Sequence, residues 1–394
     1  MSELFYKKEV IGELINNTPP GEMNLFCDVG DINKDGLLDV VVCARNGKLV
    51  WFENKGEGKT WKCHYIDEVE AMERSGAVID LTGNGYPDII VGSDWRLDEI
   101  YWWENPGVSG GKWEKRLIVK TQNTKFHDII IGDITGDGTR SLVFSNQHET
   151  TTVYRIPLPE DPTVAPWPGL EIITDGKIEK NPYIESGVQP EEGLAIGDID
   201  GDGKNELVIG THWCKYTGVK GNEWEVHKFA SDYITTKVAI GDIDGDGRNE
   251  IILSEGDPCI FNKKQGGKAG WFKVKDDIKE LWEEHQIDEN LLDPHSLQVG
   301  DLCGNGKCDI LVGEVGVGGD KHQFVNRLPR IMIFENDGSG NFKKHIIDEG
   351  TGIHDAVLAD IRSRGVLDIV GKPLVGPEMW NIHIFSSRNT DGKG

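Results

Sequence analysis

Three of the eleven histidines in this 394-residue chain share one spacing. His127, His295 and His354 each stand six residues before an aspartate that opens a glycine-rich acidic segment. The full column reads Leu25, Arg74, His127, Glu192, Thr236, His295 and His354. Random placement of the histidines would put roughly 0.2 of them at seven such positions. Imidazole titrates near neutral pH, so it serves as general acid, general base or metal ligand. A second column, thirteen residues after the same aspartates, reads Ala44, Ser93, Asn146, Thr211, Glu255, Glu314 and Pro373. Arg45, Asp94, Gln147, His212 and Lys372 lie beside it, and His148 is close by. Apolar strands that all end on polar or charged residues at equivalent positions predict a convergent polar funnel. For any one of these residues, a solvated rim is the competing reading.

The residue types suggest roles. His127 or His212 suits general base or acid, and Arg45 with Lys372 suits a substrate carboxylate. Arg74, Trp95, Asn146, His148, Trp213, Tyr216 and Glu255 are candidate substrate contacts, the tryptophans for stacking on a sugar ring. His295, His354 and Glu314 could hold a second divalent cation, Zn2+ or Mg2+, at the mouth. No nucleophile elbow or phosphate-binding loop stands in strand–helix context. Cys214 has no feature that would activate a thiol.

The acidic segments form a separate pattern. They begin at Asp31, Asp80, Asp133, Asp198, Asp242, Asp301 and Asp360 and read, for example, DIDGDGKNE and DIDGDGRNE. Alternating acids with glycine at the bend aim oxygens at one point, as a hard cation requires. Two sets are complete: Asp198, Asp200, Asp202 with Glu206, and Asp242, Asp244, Asp246 with Glu250. Asp31, Asn33, Asp35 and Asp39 come close. Ligands decay around the remaining copies, down to Arg362 and Arg364 in the last. Graded decay suits independent structural staples, with Ca2+ as the expected ion, rather than one catalytic metal.

What must position these residues is a repeat of 44 to 65 residues, found seven times. Each unit holds an apolar strand, the acidic loop, a second apolar strand, an aromatic strand such as KLVWFEN or RIMIFEN, and a fourth such as WKCHYID or FKKHIID. This predicts an all-β, seven-bladed β-propeller of four-stranded blades, a single domain over 1–394. The last repeat ends at its third strand, NIHIFSS, and the N-terminal FYKKEVI is expected to supply the fourth and close the ring. In a propeller the first strand lines the channel, which puts the histidine column at the mouth opposite the acidic loops. His64, His227, His285 and His345 share a slot in the outermost strand, and His383 lies in a third strand, so these five read as packing residues.

A formal charge of −25 argues against nucleic acid as a partner. No stretch approaches the roughly 18 apolar residues of a membrane span, and the first residues lack a signal-peptide pattern. A cytoplasmic monomer with seven free cysteines is therefore expected, or a secreted protein if a leader has been removed.

The repeats resemble the FG-GAP or VCBS type, over nearly the whole chain. With FHDIIIGD, PHSLQVGD, IHDAVLAD and GTHW, the chain is also similar to the propeller module of aldos-2-ulose dehydratases and to propeller lyases that release rhamnose from glucuronate-linked polysaccharides. That resemblance implies β-elimination on a sugar or uronate-containing glycan. A non-enzymatic glycan- or protein-binding propeller is the alternative, and a hydrolase using Glu255 and Glu314 a third. The insertions around GVGGDKHQFVNRLP and before the fourth repeat are expected to wall the pocket.

Overall fold

The computed structural model describes residues 6–16, 23–56, 60–147, 151–175, 192–261, 263–315 and 327–387, with the backbone of 179–180 and 188–189. Seven four-stranded antiparallel sheets make up the chain, as the repeat predicts. Their inner strands are β2 (Asn24–Gly30), β6 (Met72–Ile79), β10 (Phe126–Gly132), β16 (Leu194–Gly197), β20 (Thr236–Gly241), β24 (Ser296–Gly300) and β28 (His354–Ala359). Each touches the next, and β28 returns to β2, so they ring a central axis. A two-stranded ribbon at 179–180 and 188–189 interrupts the stretch before blade 4. The insertion at 316–326 lies outside the described residues.

The second strands explain why blades stack. β3 (Asp39–Ala44), β7 (Asp88–Ser93), β11 (Ser141–Asn146), β17 (Glu206–Ile209), β21 (Glu250–Glu255), β25 (Asp309–Gly313) and β29 (Asp368–Lys372) are buried along their whole length. Runs such as VVV, DII and EIIL suit this position because β-branched side chains pack on both pleated faces. The apolar residues divide into seven clusters, each spanning the interface between two neighbouring blades. The hydrophobic core is therefore a ring of seams, and the axis itself is left to polar groups.

The stacking histidines behave as packing residues. His64 lies flat on Trp51 with ring centroids 4.2 Å apart, and His285 on Trp271 at 4.0 Å. Asn54, Asn105 and Asn336 donate side-chain hydrogen bonds to backbone carbonyls of a neighbouring blade, at Ile361, Ile32 and Ile243.

Closure is as expected from the chain ends. β1 (Tyr6–Glu13) pairs antiparallel with β30 (Asn381–Ser387), giving the last sheet the order β1-β30-β29-β28. Tyr6 donates its hydroxyl to the Leu302 carbonyl at 3.0 Å, and Arg362 pairs with Glu9 at 2.8 Å. Removing residues 1–13 deletes this strand together with Ile11 and uncovers Ile382 and Ile384 of the seam between blades 7 and 1. The truncated protein is expected to lose cooperative thermal unfolding, read by calorimetry against the full chain.

Candidate active site at the channel mouth

The inner strands are irregular at their first residues. Register shifts occur between Asn24 and Phe26, Met72 and Gly76, Phe126 and Asp128, and His354 and Val357. Such bulges break the strict alternation of side chains and re-aim them. In β10 and β28 the bulge brings both members of a His-Asp pair, His127-Asp128 and His354-Asp355, to the axis. Asp355 sits at φ 54, a left-handed conformation that a β-strand residue rarely takes.

A cavity of about 230 Å³ lies on the axis there, lined among others by Asp28, Arg74, Asp128, Lys237, His295 and Asp355. Arg74 bridges two blades across it. Its Nη1 is 2.5 Å from Asp128 Oδ1 and its Nε 2.7 Å from Asp355 Oδ2. The imidazoles of His127 and His295 meet edge-on at 5.9 Å, and those of His295 and His354 stack at 4.2 Å. Glu192 is fully buried between them, 3.5 Å from His127 Nδ1, 3.8 Å from His295 Nε2 and 3.2 Å from Lys237 Nζ. The sequence column thus assembles in space: Arg74, His127, Glu192, His295 and His354 occupy one site.

Burial drives the protonation states. Desolvation lowers the pKa of His127, takes His295 well below its ordinary value and brings His354 to about 3, so all three imidazoles are neutral at neutral pH. For Asp128 and Asp355 burial acts upward, but the Arg74 guanidinium overrides it and holds both well below the carboxylate range. Among the described residues Nδ1 of His295 and of His354 makes no well-aligned hydrogen bond, although Asp355 oxygens lie 3.5 and 2.7 Å away. Orphaned imidazole nitrogens beside carboxylates are a donor set that suits a divalent cation. Two such sets exist here, His127-Glu192-His295 and His295-His354-Asp355, each with ligand atoms within 4.8 Å of one another.

Other expected site residues are placed elsewhere. Glu255 and Glu314 are corrections: both are fully buried caps of the strand end. Glu255 accepts the Ile234 and Lys268 amides and pairs with Lys263 at 2.5 Å; Glu314 accepts the Leu292 and Arg330 amides and pairs with Arg327. Asn146 accepts the Thr152 amide in the same way at 2.6 Å. At Ser93, Asn146, Glu255 and Glu314 the column is polar because the turn into the third strand needs its amides satisfied. Trp213 is buried against His227, and Tyr216 packs on Trp224, one residue beyond Lys215 and therefore by the acidic loops. His212 is buried with its Nδ1 3.2 Å from the Thr211 hydroxyl, whereas His127 meets His295 and Glu192 at the cavity. His148 lies outside the described residues. Arg45 stays on the rim, 3.3 Å from Glu73 and stacked over the half-exposed Trp95 at 4.7 Å. Asp28, Asp128, Lys237 and Asp355 were missed, and the repeated His-Asp dipeptide was the signal for two of them.

On the opposite face, acidic clusters that could hold a metal also exist, at Asp198-Asp200-Glu206 and Asp242-Asp244-Asp246. The last acid of each loop has a backbone role. Asp39 accepts the Ile32 and Asn54 amides, and Glu206 and Glu250 accept those of Ile199 and Ile243.

Residues 80–144 and 198–253 match the family model described as the FG-GAP-like repeat. The two matched stretches run from the acidic loop of blade 2 into blade 3 and from that of blade 4 into blade 5. A curated relative, a T-cell immunomodulatory protein homolog of Plasmodium falciparum, is 24% identical over 390 aligned positions, 86% of this chain and 51% of the relative. The chain thus spans about half the length of that relative. Among solved structures, BBS1N in complex with ARL6DN gives a TM-score of 0.54 at 11% identity, covering 98% of each chain. The exotype rhamnogalacturonan lyase YesX gives 0.50 at 14% identity, over 97% of this chain and 76% of that one. The V. cholerae biofilm matrix protein Bap1 gives 0.50 at 11%, over 98% and 91%. At these identities the likenesses establish the fold.

Lys372 also departs from expectation. It is fully buried at the end of β29, and its Nζ has no hydrogen-bond partner among the described residues. Contact with a substrate carboxylate is therefore closed to it in this arrangement. Burial lowers its pKa from 10.5 to about 8, with Arg74 and Arg45 acting the same way against the pull of Cys27 and Asp355. The folded state thus penalises the ammonium fully below pH 8, and the penalty fades as pH rises to 10.5. Lys372→Met is expected to stabilise the protein at neutral pH by about 1–3 kcal/mol. In chemical denaturation, its advantage over the wild type should shrink as pH approaches 10.5.

Proposed function

We propose that the channel mouth is an active site for β-elimination on a uronate-containing glycan. The observation that carries this reading is the polar cavity lined by His295, Arg74 and Lys237, with the neutral imidazoles of His127 and His354 buried against His295 behind its wall. In such a reaction a base takes the proton beside the carboxylate, the electrons form a carbon–carbon double bond, and the bond to the leaving oxygen breaks as that oxygen is protonated. His127 suits the base. Its Nδ1 lies 3.2 Å from Asp128 and 3.5 Å from Glu192, so a proton there points at carboxylates and Nε2 is left with its lone pair free. Lys237 and Arg74 place positive charge where the enolate develops. The imidazolium that His127 becomes on taking that proton can pass it on to the leaving oxygen, and His295, edge-on to it at 5.9 Å, positions the ring.

A divalent cation held by His295 with His354 and Asp355, or with His127 and Glu192, would supply further charge for the substrate carboxylate. The site carries more carboxylates than cations within the cavity lining, Asp28, Asp128 and Asp355 against Arg74 and Lys237, and a bound ion would correct that balance. YesX, a rhamnogalacturonan lyase with the same propeller fold, supports the same reaction class.

A second reading, a non-enzymatic binding propeller, is favoured by one observation. Both edges of the Arg74 guanidinium are already taken, by Asp128 and Asp355. The names of the Plasmodium relative and of the BBS1N complex lean the same way.

The assay is direct. The protein is mixed with rhamnogalacturonan and with rhamnose–glucuronate-capped polysaccharide, and the ultraviolet absorbance of an unsaturated uronate is followed. His127→Ala and His295→Ala are each expected to cut turnover at least about 100-fold with the thermal midpoint kept. Because burial lowers the pKa of His127, the acid limb of kcat/KM should fall below its ordinary 6.5. Absence of absorbance together with saturable glycan binding would favour the binding reading.

A further inference from the structure

The two loops that read best as calcium sites have a cation of their own. In blade 4 both oxygens of Asp198 are spent on backbone amides, those of Gly201 at 2.7 Å and Gly203 at 2.9 Å. Asp200 Oδ1, Asp202 Oδ1 and Glu206 Oε2 likewise accept amides, from Asp202, Lys204 and Ile199. Three carboxylate oxygens remain. Asp200 Oδ2, Asp202 Oδ2 and Glu206 Oε1 all turn toward Lys215 Nζ, the last two at 2.7 and 3.6 Å. Blade 5 repeats the arrangement. Asp242 is spent on Gly245 and Gly247, and the free oxygens of Asp244 and Asp246 meet Lys273 Nζ, the second at 2.9 Å. An ammonium carries three donors, and blade 4 offers it three acceptors.

A comparison among the blades makes the same point independently. One residue beyond the Leu207–Cys214 and Ile251–Phe272 pairs, Lys215 and Lys273 stand opposite the closing acids Glu206 and Glu250. The equivalent residue is Glu53 in blade 1, Glu104 in blade 2 and Glu335 in blade 6. Those blades have lost acids from the loop, with Asn33, Thr82 and Asn84, and Cys303 and Asn305 in their place. In blades 3 and 7, whose loops have also lost acids, the position holds Pro157 and Ser386, so lysine faces only the two loops that keep every acid.

We infer that Lys215 and Lys273 are resident cations that take the place of a divalent ion, so that blades 4 and 5 are held without calcium. A calcium ion wants six to eight oxygens, and these loops have already committed most of theirs to backbone amides. Binding it would also require expelling an ammonium from three carboxylates in blade 4 and from two in blade 5. The inference concerns the face opposite the channel and is independent of what the mouth does.

Calcium titration calorimetry and thermal melts test this on the full-length protein. The wild type should show no calcium site that is lost in Asp200→Asn or Asp244→Asn. Lys215→Met and Lys273→Met should each lower the thermal midpoint and gain one site at least ten-fold tighter than anything those loops show in the wild type. Added calcium should then restore the midpoint. A wild-type calcium site abolished by Asp200→Asn or Asp244→Asn would overturn the inference. So would lysine variants that fold, keep their midpoint and gain no site. If the lysine variants do not fold, the wild-type and asparagine titrations decide alone.

Discussion

A seven-blade ring closes only if the chain returns to where it began, and here the return is a backbone ladder between β1 and β30. Every other feature depends on that closure. The apolar clusters sit in the seams between blades, so a missing seam would leave two sheet faces bare to water. Closure also fixes the distance across the axis. Arg74 of blade 2 can reach Asp128 of blade 3 and Asp355 of blade 7 at once only because seven inner strands enclose a space a few side chains wide. The mouth is a consequence of geometry first and of chemistry second.

The charge distribution has two levels. Overall the chain is strongly acidic. Locally, buried carboxylates are matched by specific partners: Arg74 with Asp128 and Asp355, Lys237 with Glu192, Lys263 with Glu255, Arg327 with Glu314. Lys372 breaks the pattern as a buried cation without a hydrogen bond among the described residues. Desolvation uncompensated by a partner is the usual mark of strain kept near a functional site, and Lys372 ends the strand that pairs with His354.

Much of this was legible in the sequence. The repeat count, the ring closure and the histidine column follow from spacing, because spacing along a strand translates into height along the axis. The second column failed for a physical reason. Height is shared by residues that face the channel and residues that cap a turn, and Glu255 and Glu314 turned out to cap. Asp128 and Asp355 were missed for the converse reason: strict alternation would turn them away from the axis, and only the bulges at β10 and β28 bring them in. The acidic loops showed their ligand spacing plainly, but the lysines that answer them lie on another strand, reached only through register.

The seam also has a mechanical character. Tyr6 pairs with Ser387 at one end of the β1–β30 ladder and Glu13 with Asn381 at the other. Both chain ends therefore leave the ladder at the same end. A force drawing them apart would load one hydrogen-bonded pair after another, as in opening a zipper, instead of shearing the ladder all at once. Blade 7 is the point of least resistance to such a pull, and anything attached at either end of this propeller would tug first on the strand that keeps the ring whole.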